Sequence, residues 1–443
     1  MNRILYLSHD GALDPLGQSQ IVPYLVRLSG PDVQITLITF EKPVALSRPL
    51  DAGHGLWPWA LARGRPERAE RVEGRRSGAT GSARGDPRRE VARLHERLRA
   101  ANIRWVALRY HRWPPVASTL WDMTRGLWVA WRLVRSQRID LVHARSYVMM
   151  FLAVILKHLT GVRVLFDMRE LWVDGRVEGG TWPRGGWLYR LGKRCERWCL
   201  RRADAVVSLT EAGKQIIEGF EYWAPSSPPI AVIPTCVDVG RFANHRAPED
   251  VRPAFLEGRR VIVYLGSIGS WYRFEEMVDC FTVALRLWPD ALLLVLTPQP
   301  ESAQRIGTAR GLAPGAVAVR NVSHEEVPAF LRWAEVSLYF ITPSYAKRSS
   351  CPTKLGESLA AGLPILTNPG IGDQDALLTT QRVGVLIEAF TEEAYVRAWR
   401  QMSAFLAEGD ALAQRCRRVA QEHFGLDRGV ETYARLYRQV LAP

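Results

Sequence analysis

Cys351-Pro352-Thr353-Lys354-Leu355-Gly356-Glu357-Ser358-Leu359-Ala360-Ala361-Gly362-Leu363-Pro364, followed by Ile365-Leu366 and the loop Thr367-Asn368-Pro369-Gly370-Ile371-Gly372-Asp373, is the most informative stretch of this chain. It reads as a loop, a short helix carrying one acid, a glycine stop and a buried strand. A helix that opens on Thr353-Lys354 offers free backbone N–H groups and a cation to an anion. Glu357, one turn in, is placed to accept hydrogen bonds from hydroxyls. Phosphate at the helix start and hydroxyls a turn further on describe a sugar nucleotide.

Outward from this segment the chain alternates short apolar strands with helix-length stretches, the pattern of parallel sheets covered on both faces. Strands are expected at Ile4–Leu7, Val33–Thr39, Leu141–His143, Val162–Phe166 and Ala205–Leu209, with one helix over about Gln18–Leu28. A second series is expected at Val261–Leu265, Ala291–Leu296, Ala316–Val319, Val336–Tyr339 and Pro364–Thr367. Ser323-His324-Glu325-Glu326 has the form of a capping box opening a helix to about Trp333. Between the two series Ala231-Val232-Ile233-Pro234-Thr235 gives way to a polar, proline-bearing stretch through Pro253, where the hinge is expected. The expectation is an α/β chain of two Rossmann-like domains facing a cleft. A chain of 443 residues is long enough for two such cores.

Composition narrows the class. Hydrophobic content of 47% and charged content of 23% are those of a globular protein, and no apolar run is long enough to span a bilayer. The first ten residues read as a strand and lack the apolar core and cleavage site of a signal peptide. Cys195, Cys199, Cys236, Cys280, Cys351 and Cys416 show no metal-ligand spacing and suit free thiols in a reducing cytosol. The net charge of +14 favours anionic partners. Part of it lies in an Arg/Gly-rich segment over Ala45–Arg89, expected to be a mobile insertion, either a basic arm or a tolerated surface loop. Along Thr119–Arg138, Met123, Leu127, Ala130 and Val134 form a core-facing stripe. Trp121, Trp128 and Trp131 lie opposite with Arg125, Arg132 and Arg135, a face suited to anionic headgroups or to cover by other parts of the domain.

Several segments, in order, resemble the retaining nucleotide-sugar glycosyltransferases of family 4, which have the GT-B architecture. They are Asp14–Gln20, Asp140–Ser146, Phe166–Trp172, Ala203–Thr210, Ile233–Asp238, Tyr264–Ser267 and Lys354–Gly362. The resemblance implies an N-terminal acceptor domain over 1–240, a C-terminal nucleotide-sugar domain over 241–425 and a final helix, about Arg428–Val440 within 426–443, crossing back. It implies hexosyl-type transfer to an acceptor hydroxyl with retention, as in assembly of bacterial surface polysaccharide or lipopolysaccharide. The donor's own phosphate would help remove the acceptor proton. No carboxylate pair at glycosidase spacing is then required. No cofactor or metal is expected beyond the co-substrate, and Asp373-Gln374-Asp375 is discounted as a metal motif.

Residue by residue, Glu357 matches the ribose-binding second acid of the family's Glu-x7-Glu. The first acid is replaced by Ser349, so the donor-sugar contact is assigned to Ser349, Ser350 and Cys351. The family's phosphate-binding Arg and Lys fall on Ser267 and Tyr272, neither cationic. Lys354 and then Arg273 are the candidate substitutes, with Thr353, Gly17 and Ser267 completing the diphosphate site. Asn321, Val322 and Ser323 are assigned to the base. In the family's His-x-His segment this chain has His143 and Arg145, taken with Glu357 as the catalytic set, His143 being equally readable as a buried structural histidine. Asp167, Arg169 and Glu170 are assigned to the acceptor. Expected partners are a nucleotide-sugar donor, a glycan or lipid-linked glycan acceptor and, peripherally, the anionic inner face of the cytoplasmic membrane, but not nucleic acid. Three rival readings are a GT-B sugar-nucleotide epimerase, a non-catalytic sugar-nucleotide-binding protein and a nucleic-acid-binding module.

Overall fold

The structure, a computed structural model, describes residues 1–42, 87–111, 113–243, 252–269 and 271–442. The expected insertion falls almost wholly outside these residues. Its last three positions, 87–89, belong instead to a helix, Pro87–Ala100, whose Leu94 and Leu98 reach the core.

Seven parallel strands build the first sheet: β1 (Asn2–Ser8), β2 (Val33–Glu41), β3 (Ile103–Arg109), β4 (Leu141–Arg145), β5 (Arg163–Asp167), β6 (Ala205–Ser208) and β7 (Ile230–Val232), in the order β3-β2-β1-β4-β5-β6-β7. Six more, β8 (Arg260–Leu265), β9 (Ala291–Leu296), β10 (Val317–Arg320), β11 (Val336–Leu338), β12 (Ile365–Thr367) and β13 (Gly384–Leu386), form a second parallel sheet in the order β10-β9-β8-β11-β12-β13. Both are doubly wound, with the order reversing beside β1 and β8, where such sheets open a crevice at their carboxyl edges. These are the two Rossmann-like domains expected from the alternation of strands and helices, in the GT-B arrangement that the resemblance implies.

Local departures have local causes. The helix expected over Gln18–Leu28 is two helices, Pro15–Gln20 and Val22–Leu28, because Pro23 has no N–H to continue the first. Strands β3, β7 and β13 have no counterpart in the sequence reading. β3 is an edge strand of uneven burial and the other two are three residues long, too little for a period to show. Glu326 reaches back to the Ser323 N–H at 2.8 Å, as a capping box would, but the helix begins only at Val327 and ends at Leu331.

The first sheet buries one face under Val22–Leu28, Pro87–Ala100 and the last helix, Leu426–Leu441, which contributes Tyr433, Leu436, Tyr437 and Val440. The other face lies under Pro115–Gln137, Ser146–Thr160 and Trp187–Arg202. The second sheet has a core of its own. A seam of hydrogen bonds joins the halves. Both oxygens of Asp373 accept from the Glu211 and Ala212 N–H groups, at 2.7 and 3.0 Å, capping a first-domain helix from the second domain. Glu178 does the reverse for the Tyr345 and Ala346 N–H groups.

Candidate active site

The helix Thr353–Ala360 stands between β11 and β12, and every residue from Lys354 to Ala360 is buried. Gly356 lets it approach the chain closely, since a Cβ there would sit 3.2 Å from Phe424 and Val237. Gly362, at φ +84°, ends the helix by offering its N–H to Leu359 while Leu363 serves Ser358.

Lys354 does not extend into open solvent. Its Nζ lies 3.9 Å from the ring centre of Tyr272, 4.6 Å from that of Tyr264 and 5.5 Å from that of Tyr339, buried and without a hydrogen-bond acceptor among the described residues. It also touches the turn that follows β8: a Cβ on Gly266 would stand 2.6 Å from it. The cation missing from Ser267 and Tyr272 is thus delivered to that turn from the facing helix, and Tyr272 becomes one wall of its cage. Burial pulls the ammonium down to about pKa 7, with Glu357 opposing. Burial likewise pushes the Glu357 carboxyl up to about 7, opposed by Arg241 and Lys354.

Beside Glu357 stands a group that the sequence reading used only for capping. His324 Nδ1 is 3.6 Å from Glu357 Oε1, while its Nε2 accepts from Arg241 Nη1 at 3.0 Å. A guanidinium can only donate, so Nδ1 carries the hydrogen and points it at the acid. Burial, then Arg241, hold His324 down to about 4, and the ring is neutral at neutral pH. Asn321, Val322 and Ser323 immediately precede it, at the end of β10.

The other expected donor residues divide. The backbone carbonyl of Ser267 accepts a hydrogen bond from the Tyr264 hydroxyl. Arg273 is paired with Glu276 and lies 4.5 Å from the Phe390 ring centre, so its charge is already engaged. Ser349 is buried, its hydroxyl accepting from Leu171 N and donating to Ala346 O, which binds the two domains together. Ser350 packs its carbonyl against Gly372, and Cys351 accepts from the Thr235 hydroxyl at 3.1 Å. Gly17 has a reason of its own to be glycine: a Cβ would lie 2.1 Å from the Gly11 carbonyl, within its own loop.

Across the cleft, register aligns Arg145 with Ser8 and with Asp167. Asp167 is buried and meets Arg169 Nη1 at 3.2 Å, Arg145 Nη1 at 3.6 Å and His143 Nε2 at 3.6 Å. Arg169 and its other donor neighbours hold this carboxyl below the usual range against the effect of burial. Arg145 also lies 3.7 Å from Asp10, and Glu170 lies 3.9 Å from Lys347 of the second domain. His143 sits among the rings of Tyr6, Tyr433 and Tyr437, its Nδ1 bonded to the Tyr437 hydroxyl at 2.7 Å. Burial lowers its basicity. It anchors the last helix.

Comparison with known proteins fits this geometry. Residues 59–236 match the family model described as a glycosyl transferase 4-like domain. Among solved structures, sucrose-phosphate synthase from Thermosynechococcus elongatus superposes with a TM-score of 0.68 at 15% identity, covering 100% of both chains. HepE of Anabaena, in complex with UDP and glucose, gives 0.65 at 11% identity over 99% of this chain and 100% of its own. A Listeria monocytogenes protein described as a UDP-N-acetylglucosamine 2-epimerase gives 0.58 at 11%, covering 99% and 96%. No curated protein sequence matches the chain. The chain has the GT-B fold, and residues 59–236 are similar to a glycosyl transferase 4-like domain.

Proposed function

We propose that the protein is a retaining, metal-independent glycosyltransferase that uses a nucleoside-diphosphate sugar. The observation that carries this reading is the buried pair on one short helix: Lys354 against the Gly266 turn and Glu357 one turn on, with His324 beside it. Lys354, the Thr353 helix start and the Gly266–Ser267 turn hold the diphosphate. Glu357 holds the ribose, and the base lies along Asn321–Ser323. The acceptor enters over Asp167, Arg169 and Glu170, with Arg145 orienting it. As the bond from the anomeric carbon to the phosphate oxygen breaks, the acceptor oxygen bonds to that carbon on the same face. Its proton passes to the departing phosphate, whose growing charge Lys354 offsets. UDP is the first nucleotide to try, because the structurally similar HepE was solved with it.

The acceptor is a glycan or lipid-linked glycan of surface polysaccharide or lipopolysaccharide assembly, met at the inner face of the cytoplasmic membrane. The test screens UDP-, GDP- and ADP-sugars for thermal stabilisation and for transfer. One of them raises the melting temperature of the native protein, and Glu357→Gln weakens that donor about a hundred-fold, as loss of a charged hydrogen bond requires. Undiminished binding or turnover in the variant refutes the ribose assignment.

A further inference from the structure

The three helices over one face of the first sheet share a composition that no core requirement explains. Pro115–Gln137, Ser146–Thr160 and Trp187–Arg202 contain only two acids, Asp122 and Glu196, and both are buried. Their outward surfaces carry arginines instead: Arg125, Arg132 and Arg135 on the first, and Arg190, Arg194, Arg197, Arg201 and Arg202 on the third. Two of these lie over exposed indoles, Arg132 at 4.9 Å from the ring centre of Trp128 and Arg135 at 5.9 Å from that of Trp131.

The most exposed apolar groups of this face gather at one end of it, while Trp128 (55% exposed), Trp131 (36%), Phe151 (40%) and Leu159 (57%) continue the exposure along the helices. Helices in a doubly wound domain run opposite to the strands, so their first turns lie at the carboxyl edge, where the cleft opens. At those ends Trp113 is 82% exposed, Leu120 65%, Trp121 62%, Trp187 72% and Leu191 49%. The segment 168–186, which begins with Arg169 just after Asp167 and includes the short helix Trp172–Glu178, leads to Trp187. An apolar rim therefore borders the acceptor side of the cleft, with a basic field behind it.

We infer that this three-helix face docks on an anionic lipid bilayer, with Trp113, Trp121 and Trp187 in the interfacial layer, so that a lipid-linked acceptor passes from the membrane to Asp167 and Arg169. Indole belongs at the headgroup level, and arginine beside it meets lipid phosphate. The charge complementarity is one-sided, with eight exposed arginines on these helices and no exposed acid to pair with them. No described helix is long and apolar enough to cross the membrane, so the contact is peripheral. The surface deepens the proposed function by supplying the route of its acceptor, and rests on that reading only for the identity of the cargo.

The test is flotation of the full chain with vesicles at about 0.1 M salt, which reads binding without turnover. The native protein floats with 3:1 phosphatidylcholine:phosphatidylglycerol vesicles and stays behind with phosphatidylcholine alone. Trp121→Ser with Trp187→Ser lowers the floated fraction at least ten-fold. Each of Arg132→Glu and Arg197→Glu changes the surface charge by two and lowers the partition coefficient by more than the roughly five-fold that loss of one cation alone would give. All variants keep the native melting temperature and unchanged transfer to a short water-soluble acceptor. Native protein left in solution with the anionic vesicles, or variants floating as well as the native chain, overturns the inference, as does preferential capture by an acidic polypeptide over the vesicles. Loss of transfer with retained flotation refutes the enzyme assignment and leaves the surface standing.

Discussion

Replacing Lys354 by Met should make the empty protein more stable and the donor complex much weaker. The ammonium is buried and its folded pKa falls from 10.5 to about 7. At 1.36 kcal/mol per unit, the charged form is penalised by about 4–5 kcal/mol if nothing else acts. Three tyrosine faces return part of that, at about 0.5–1 kcal/mol each, which leaves a net burden of about 2 kcal/mol. The sign follows from proton binding. Between pH 7 and 10.5 the unfolded chain holds the lysine proton more tightly than the folded chain, so stability rises with pH across that window. The burden is complete below pH 7 and vanishes above 10.5.

Met fills the cage without charge. Lys354→Met should therefore raise the melting temperature by about 4–8 °C at pH 6, from about 2 kcal/mol in a domain of this size. The gain should shrink by more than half at pH 9.5. Differential scanning fluorimetry at both values, with and without nucleoside diphosphate, measures it. The same variant should bind that diphosphate at least a hundred-fold more weakly, for want of its buried cation. A variant no more stable than the native chain at pH 6, or one that binds the diphosphate as well, refutes the view of Lys354 as a cation held in reserve for phosphate.

Two other perturbations separate scaffold from chemistry. Tyr437→Phe removes the hydroxyl that partners His143 and should cost about 1–3 kcal/mol in urea unfolding, while the transfer rate per folded molecule stays unchanged; a loss of that rate would return His143 to the catalytic set. Asp373→Ala uncaps the Glu211–Glu218 helix and should cost about 0.5–2 kcal/mol, with transfer insensitive to EDTA in both proteins; chelator sensitivity that disappears in the variant would make Asp373 a metal ligand after all.

The amino-acid order by itself determined the two parallel sheets except β3, β7 and β13, because most buried parallel strands read as apolar runs whatever surrounds them. It also determined the helix carrying Lys354 and Glu357, whose glycine stop and following strand are local signals, and the outward Trp/Arg stripe of Pro115–Gln137, a matter of helical period. What only tertiary structure decided is which groups share a space. The cage around Lys354 assembles Tyr264 from β8, Tyr272 from the turn that follows it and Tyr339 from the end of β11, so no short window of sequence contains it. His324 meets Glu357 and Arg241 across similar gaps. Ser349, expected at the donor sugar, has its hydroxyl satisfied by Leu171 of the other domain. His143, readable either way from its strand, lies under a helix almost three hundred residues later because Tyr437 and Tyr433 close over it. Period and turn chemistry act over a few residues, whereas side-chain environments are set by packing between elements remote in the chain.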